Sequence, residues 1–201
     1  MSRALLVIDV QESFRQLPIW RVGSNPDLVD RVSRLVDAAR TDGERVVWVL
    51  HSDPGTGNVF DPASGHVRLI EPLVALPDEP VLTKTSRNAF TTTNLHQLLT
   101  AEGIRELVVC GIQTEQCCET TARLAADLGF DVTFVTDATA TFPIPHRDAA
   151  AGLSVDEILA DPRTLGTADI LARTEYALAG RFATIRTVAE LTGPVPVGPI
   201  G

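Results

Sequence analysis

The chain has 201 residues, a hydrophobic fraction of 44% and a formal net charge of -9 at pH 7. This length suits a single hydrophobic core, and the acidic balance argues against nucleic acid and anionic membranes as partners. The sequence has no apolar run long enough to span a bilayer, no signal-peptide pattern at its start, and three cysteines without zinc spacing. We therefore expect one cytoplasmic domain over residues 1–192 and a Gly/Pro-rich tail over 193–201.

The first predicted strand is a near-continuous apolar run from Ala4 to Val10 that ends in polar residues. Asp9 and Gln11 lie at its carboxyl end, where ligands bind in doubly wound sheets. An isolated aspartate at such a place commonly caps a turn, so Asp9 indicates chemistry only if partners accompany it. The loop that follows has no glycine-rich phosphate cradle, and no dinucleotide or flavin cofactor is predicted.

A packing helix and a second strand come next. Asn25 is a predicted N-cap, and apolar residues then recur at helical spacing until Gly43. The second strand is followed by His51 and Asp53. A metal site there is disfavoured, because no tight Asp-x-His pair is present and only one further histidine lies nearby. His51 is instead predicted to line a pocket.

A long connection rich in Gly, Pro and Asp spans 54–77 and contains Phe60. Connections of this length are often binding loops or lids. The third predicted strand covers 80–83 and ends in Lys84, the only lysine of the chain. A strand-end lysine is commonly solvated, but Lys84 lies at the same edge of the predicted sheet as Asp9.

The fourth predicted strand leads into a helix that carries cysteine in its first turn. The apolar run 107–110 is followed by Gly111 for a sharp turn, by Thr114 as the predicted N-cap and later by Gly129 as the predicted C-cap. Cys117 lies in the first turn of this helix, where unpaired N–H groups and the helix dipole favour an anion. We therefore expect the pKa of its thiol to lie below the usual value of about 8.5. A small buried hydrophobe is the competing interpretation.

The last third of the chain completes the predicted sheet. A fifth strand covers 131–136, and the segment 139–159, with a short helix beginning at Ser154, is predicted to cover one side of the pocket or to form a subunit contact. A helix over 165–178 and a last strand over 182–188 follow. The predicted fold is a three-layer, doubly wound α/β domain with a Rossmann-like sheet of about six mostly parallel strands.

Four segments in this order resemble the isochorismatase-like cysteine hydrolase family. They are LLVIDVQESF at the first strand, LTKTSRNAF at the third, GIQTEQCCETTA at the turn that carries Cys117, and VTDATAT after the fifth strand. The resemblance extends from Leu5 to about Arg186, and the family includes isochorismatases, nicotinamidases and N-carbamoyl amidohydrolases. It implies a catalytic triad of Asp9, Lys84 and Cys117, and a fold of the isochorismatase-like type.

The same resemblance implies a cis peptide bond between Ile112 and Gln113 and an oxyanion hole formed by the backbone N–H groups of Gln113 and Cys117. The family spacing of glycine, two residues, threonine, two residues and cysteine selects Cys117 as the nucleophile. Consecutive helix residues point about 100 degrees apart, so Cys118 cannot face the same pocket. We assign Cys118 and Cys110 to core packing.

The predicted function is cleavage of a C–N bond in a small amide or carbamoyl substrate through a thioester intermediate, without a cofactor or metal. Hydrolysis of a vinyl ether is the alternative, because the triad does not separate the two chemistries. A metal-dependent nicotinamidase is disfavoured, since residues 50–52 do not reproduce that ligand set. A non-catalytic binding protein or a thiol redox sensor is the alternative of another class.

By resemblance to the family we also expect a homo-oligomer, either a dimer or a tetramer. The candidate pocket walls lie in or just after strand-end loops, and core packing is the competing interpretation for each aromatic side chain. These candidates are Phe14, Trp20, His51, Phe60 and Phe90.

Overall fold

The computed structural model describes residues 3–193. Its strands are β1 (Arg3–Ile8), β2 (Arg45–His51), β3 (Val81–Lys84), β4 (Glu106–Ile112), β5 (Asp131–Ala140) and β6 (Thr184–Arg186). They form one six-stranded sheet in the order β3-β2-β1-β4-β5-β6, and every neighbouring pair is parallel. The predicted doubly wound parallel sheet is confirmed. The predicted tail lies outside the described residues from position 194 onward.

Helices cover both faces of this sheet. Within residues 3–193 they are α1 (Glu12–Arg15), α2 (Leu28–Thr41), α3 (Leu95–Ala101), α4 (Glu119–Asp127), α5 (Val155–Ala160), α6 (Thr167–Leu178) and α7 (Val188–Thr192). Val32 of α2 and Val188 of α7 belong to the apolar cluster on one face. Leu99 of α3, Ala122 of α4 and Leu178 of α6 belong to the cluster on the other face, which gives the predicted three layers. None of the described helices is long and apolar enough to cross a membrane.

The start of α2 differs from the prediction. The helix begins at Leu28 with Asp27 as its N-cap, so Asn25 does not cap it. The amide nitrogen of Asn25 instead donates to the carbonyl oxygens of Asp137 and Thr139, at 2.8 and 3.0 Å. A side chain with good capping chemistry is therefore used to tie the loop before α2 to β5.

The last strand is shorter than predicted and the fifth strand is longer. β6 covers only 184–186, because the Thr187 side chain accepts a hydrogen bond from the backbone N–H of Glu190, and the Glu190 side chain bonds back to Thr187. This capping box starts α7 inside the segment predicted as strand. β5 continues to Ala140 after a register shift against β4. The short helix beginning after Ser154 is confirmed, and Ser154 caps it with Glu157.

The long connection 54–77 is fastened to the segment after β1. Apart from a short 3-10 turn (Pro62–Ser64), it has no helix or strand. The backbone N–H groups of Glu12 and Ser13 donate to the carbonyl oxygens of Arg68 and His66, at 2.8 and 3.0 Å. Ile70 is buried in the core. These contacts hold the connection against the carboxyl edge of the sheet, next to the residues described below.

Candidate active site

Three buried polar side chains meet at the carboxyl edge of the sheet. Asp9 follows β1, Lys84 is the last residue of β3, and Cys117 lies in the helical turn after β4. The ammonium nitrogen of Lys84 is 2.7 Å from Asp9 Oδ2 and 3.5 Å from Cys117 Sγ. Asp9 and Lys84 are 0% exposed and Cys117 is 5% exposed. The structure thus brings together the three residues predicted to form the triad.

The backbone around the cysteine is irregular. The Ile112–Gln113 peptide bond is cis, and one turn of π-helix (Thr114–Cys118) precedes α4. Thr114 is not the N-cap that the sequence predicts, since Gln113 takes that position and the Thr114 hydroxyl donates to Thr139 Oγ1 at 2.8 Å. The extra residue per turn of the π-helix gives the cysteine turn a geometry that an ordinary helical start does not have.

Gly111 lies inside β4 and not in the turn after it. Its φ is +128°, and a Cβ built there would lie 1.9 Å from the carbonyl oxygen of Ile8. Glycine is therefore required by the close approach of β1 to β4, at the level where Asp9 leaves β1. The C-cap of α4 is Leu128, one residue before the predicted Gly129, which follows it with a positive φ and donates its N–H to the carbonyl of Ala126.

The charge state of the site differs from the expectation that the helix end lowers the thiol pKa. Burial raises the pKa of Cys117 to about 12, with a further rise from Asp9 that Lys84 only partly opposes. Burial also raises the pKa of Asp9 above 3.8, although the Lys84 ammonium opposes this shift. Loss of hydration outweighs the helix-end effect because the side chains of the site are buried. The raised pKa favours the protonated thiol at neutral pH, and formation of the thiolate would require a base.

Asp9 has an oxygen available for that role. Oδ2 bonds to Lys84, whereas Oδ1 is buried and has no hydrogen-bond partner among the described residues. A buried carboxylate oxygen without a partner is costly unless a ligand or a proton completes it. Asp9 also has a φ of +54°, which is uncommon for a residue other than glycine.

His51 is in contact with the triad. Its Nδ1 is 3.3 Å from the Lys84 nitrogen, and its Nε2 is 2.9 Å from Asp53 Oδ1. Gln11 clamps the backbone of His51, accepting from its N–H at 2.7 Å and donating to its carbonyl at 3.0 Å. Burial and the Lys84 charge lower the pKa of His51 below 6.5, and the two aspartates only partly oppose them.

The predicted pocket walls fall into two groups. Ring contacts connect His51 to Phe60 at 5.8 Å and Phe60 to Phe14 at 5.0 Å, and these continue through Phe142 to Trp20 at 6.1 and 6.2 Å. This chain of rings therefore begins at His51, which contacts Lys84, and ends at Trp20. Phe142, two residues after the end of β5, was not predicted, because the predicted fifth strand ended at residue 136.

Phe90 does not belong to this chain of rings. It stacks on Phe130 at 6.1 Å, within the apolar cluster that also holds Cys117. The remaining cysteines are core residues: Cys118 and Cys110 are fully buried, and burial raises the pKa of both thiols. No group of three or more His, Cys, Asp or Glu side chains within residues 3–193 is arranged to hold a metal ion.

Comparison with known proteins adds an independent finding. Residues 3–158 match the family model of the isochorismatase domain. A streptothricin hydrolase of Streptomyces noursei is 34% identical over 194 residues, which are 96% of this chain and 68% of that protein. Nicotinamidase 3 of Arabidopsis thaliana is 36% identical over 153 residues, which are 69% of this chain and 73% of that protein. The crystal structure of an isochorismatase from Pseudomonas putida has a TM-score of 0.80 and 31% identity, covering 94% of this chain and 89% of that one.

Proposed function

The chain belongs to the isochorismatase family of hydrolases, and from this premise we propose that it cleaves a C–N bond of a small amide or carbamoyl compound through a thioester on Cys117. One observation carries the proposal: the Lys84 ammonium contacts both Asp9 Oδ2 and Cys117 Sγ, at 2.7 and 3.5 Å. A nucleophile, a base and a cation are thereby held in one buried cluster. Two relatives bear the names of hydrolases, and nicotinamide, the compound that names one of them, is an amide.

In the proposed reaction Asp9 acts first as a base. It accepts the thiol proton of Cys117 as Sγ attacks the carbonyl carbon, and the oxyanion is bound by the backbone N–H groups of Gln113 and Cys117. Asp9 then gives this proton to the leaving nitrogen, which departs as ammonia or an amine. Water, deprotonated by Asp9, next attacks the thioester and releases the acid, and Asp9 returns the proton to the departing sulfur of Cys117. Lys84 remains protonated and stabilises whichever of Asp9 and Cys117 carries the negative charge.

The direct test is a coupled assay of ammonia release on nicotinamide and N-carbamoyl amino acids, with product detection by mass for streptothricin. Wild type should hydrolyse at least one compound, and Cys117→Ala should lower kcat/KM by about a thousandfold or more. Cys118→Ala is the matched control, because it removes a neighbouring buried thiol that the mechanism does not use. Hydrolysis by Cys117→Ala at the wild-type rate would refute the proposal.

A second candidate, hydrolysis of a vinyl ether, is supported by the similarity to the Pseudomonas putida protein described as an isochorismatase. It would use the same three residues without an acyl intermediate. Turnover of isochorismate, together with failure to hydrolyse any amide or carbamoyl compound, would favour this candidate.

A further inference from the structure

The ammonium group of Lys84 has three acceptors around it. An ammonium carries three donor protons and no acceptor. Its nitrogen lies 2.7 Å from Asp9 Oδ2, 3.3 Å from His51 Nδ1 and 3.5 Å from Cys117 Sγ. Lys84 is 0% exposed, so its protons do not face solvent. The three acceptor atoms equal the three ammonium protons in number. Two of the acceptors belong to the proposed triad, and the third has no part in the reaction as written above.

The Lys84 and Asp53 contacts favour one tautomer of His51, whereas the Arg87 guanidinium, 3.4 Å from Nε2, is a donor that favours the other. The contacts with Lys84 and Asp53, at 3.3 and 2.9 Å, are the shorter ones and decide the tautomer. An ammonium can only donate, so Nδ1 must accept, and the single ring proton of a neutral imidazole is then on Nε2. Nε2 is 2.9 Å from Asp53 Oδ1, which accepts that proton. The other oxygen of Asp53 lies 3.4 Å from the amide nitrogen of Asn58. Asn58 thus orients the Asp53 carboxylate, and Asp53 in turn orients the His51 ring.

Burial and the Lys84 ammonium favour the neutral form of the His51 ring, and Asp9 and Asp53 only partly oppose them. Within residues 3–193, the charged groups that face His51 are Lys84, Asp9, Asp53 and Arg87, whose Nη1 is 3.4 Å from Nε2. Protonation of His51 would place a cation between the Lys84 ammonium and the Arg87 guanidinium. Lys84 would also lose its third acceptor, because a protonated Nδ1 donates.

We propose that His51 and Asp53 form a positioning dyad, in which Asp53 holds neutral His51 in the Nε2–H tautomer and His51 fixes one N–H of Lys84. The other two N–H bonds of Lys84 are then directed at Asp9 and Cys117. Neither His51 nor Asp53 touches the reacting atoms; both act through Lys84. The importance of the dyad for catalysis rests on the proposed function, but its effect on Cys117 requires no substrate.

The test measures the rate at which iodoacetamide alkylates Cys117, with the modified residue located by peptide mass mapping. His51→Leu removes the acceptor, whereas His51→Asn keeps a side-chain oxygen that can accept from Lys84. We expect His51→Leu to lower the alkylation rate at neutral pH about tenfold, the size of one lost charge-assisted hydrogen bond. His51→Asn should remain within about threefold of wild type. His96→Leu, which replaces an exposed histidine on α3, is the control and should have no effect.

Two further readouts separate positioning from a structural role. Asp53→Ala, which removes the acceptor for Nε2–H, should slow alkylation in the wild-type background and have no effect in the His51→Asn background, because asparagine at position 51 has no tautomer to hold. Wild type should also lose reactivity more steeply than His51→Asn as the pH falls, since only wild type can protonate the ring. Asp9 is present in both proteins, so its titration cancels in this comparison.

Equal alkylation of wild type and His51→Leu, with unchanged circular dichroism, would overturn the proposal. An Asp53→Ala effect of the same size in both backgrounds would overturn it as well, and this second experiment decides the matter if His51→Leu does not fold. If no amide or ether is hydrolysed, the proposed function fails while the alkylation results still judge the dyad.

Discussion

At the residue scale, burial decides how the candidate site can work. Cys117 lies at a helix start, where a lowered thiol pKa is expected, but burial raises its pKa to about 12. The raised pKa favours the thiol over a preformed thiolate. Within residues 3–193, Asp9 carries a buried oxygen without a hydrogen-bond partner. The proposed function therefore uses Asp9 as a general base for thiol attack.

Substitution of Asp9 tests this role. Asp9→Asn keeps the shape of the side chain but has no oxygen that can accept the proton. We expect kcat/KM to fall by about a hundredfold or more on any substrate that wild type hydrolyses. Asp169→Asn, which changes an exposed carboxylate on α6, should leave kcat/KM unchanged. Full activity of Asp9→Asn would contradict the assignment.

The pH profile gives a second test at this scale. Burial raises the pKa of Asp9 above its ordinary 3.8, so Asp9 binds its proton at a higher pH than a free carboxyl group does. Activity requires the carboxylate and should fall as the pH decreases through this raised pKa. The acid limb of kcat/KM should therefore lie above pH 3.8. An acid limb at or below that pH, measured in folded protein, would show that Asp9 is not the base.

At the scale of secondary-structure elements, the backbones of β1 and β4 approach each other so closely near the site that no side chain fits between them at Gly111. Gly111→Ala would place Cβ 1.9 Å from the Ile8 carbonyl oxygen, so the two strands must separate. We expect a loss of about 3 kcal/mol or more in the free energy of unfolding, measured by urea denaturation. Gly129→Ala is the control: it also has a positive φ, but its Cβ meets open space, so about 1 kcal/mol is expected. Equal losses would refute the steric explanation.

The buried carboxylate of Glu119 joins α4 to α6. Glu119 of α4 is 3% exposed, and it bonds to Arg123 at 2.9 Å, to Thr174 at 3.1 Å and to Arg173. Glu119→Gln removes the charge that two arginines share, and we expect a loss of about 2 kcal/mol in the free energy of unfolding. Glu175→Gln, the same substitution at a half-buried glutamate of α6, is the control for the change in the free energy of unfolding. A change below about 0.5 kcal/mol would mean that solvent replaces these bonds.

The elements that the sequence predicted correctly are those with strong local signals. The apolar runs of β1, β2 and β4 are buried along nearly their whole length, as expected of parallel strands covered on both faces. The errors lie where two local signals compete. The segment 182–188 is apolar at its ends, but Thr187 and Glu190 form a capping box, and the helix prevails. The seven-residue α3 offers only Leu95 and Leu99 as buried residues, too weak a pattern to be predicted.

At the scale of the whole molecule, strand order explains why the site residues were predictable. Asp9, Lys84 and Cys117 are far apart in sequence, but all follow or end parallel strands, whose carboxyl ends share one edge. Their charge states were not predictable, because burial depends on how the connection 54–77 and the segment after β5 pack over that edge. The pairing of His51 with Asp53 required side-chain geometry that spacing alone does not give. Self-association stays a prediction from the family resemblance.

The most direct test of the central claim is intact-protein mass spectrometry after brief exposure to amides, carbamoyl compounds and isochorismate. The thioester mechanism predicts an acyl adduct on wild type and on Cys118→Ala, mapped to Cys117, and no adduct on Cys117→Ala. Turnover of an amide by wild type and Cys117→Ala alike, without any adduct at Cys117, would contradict it.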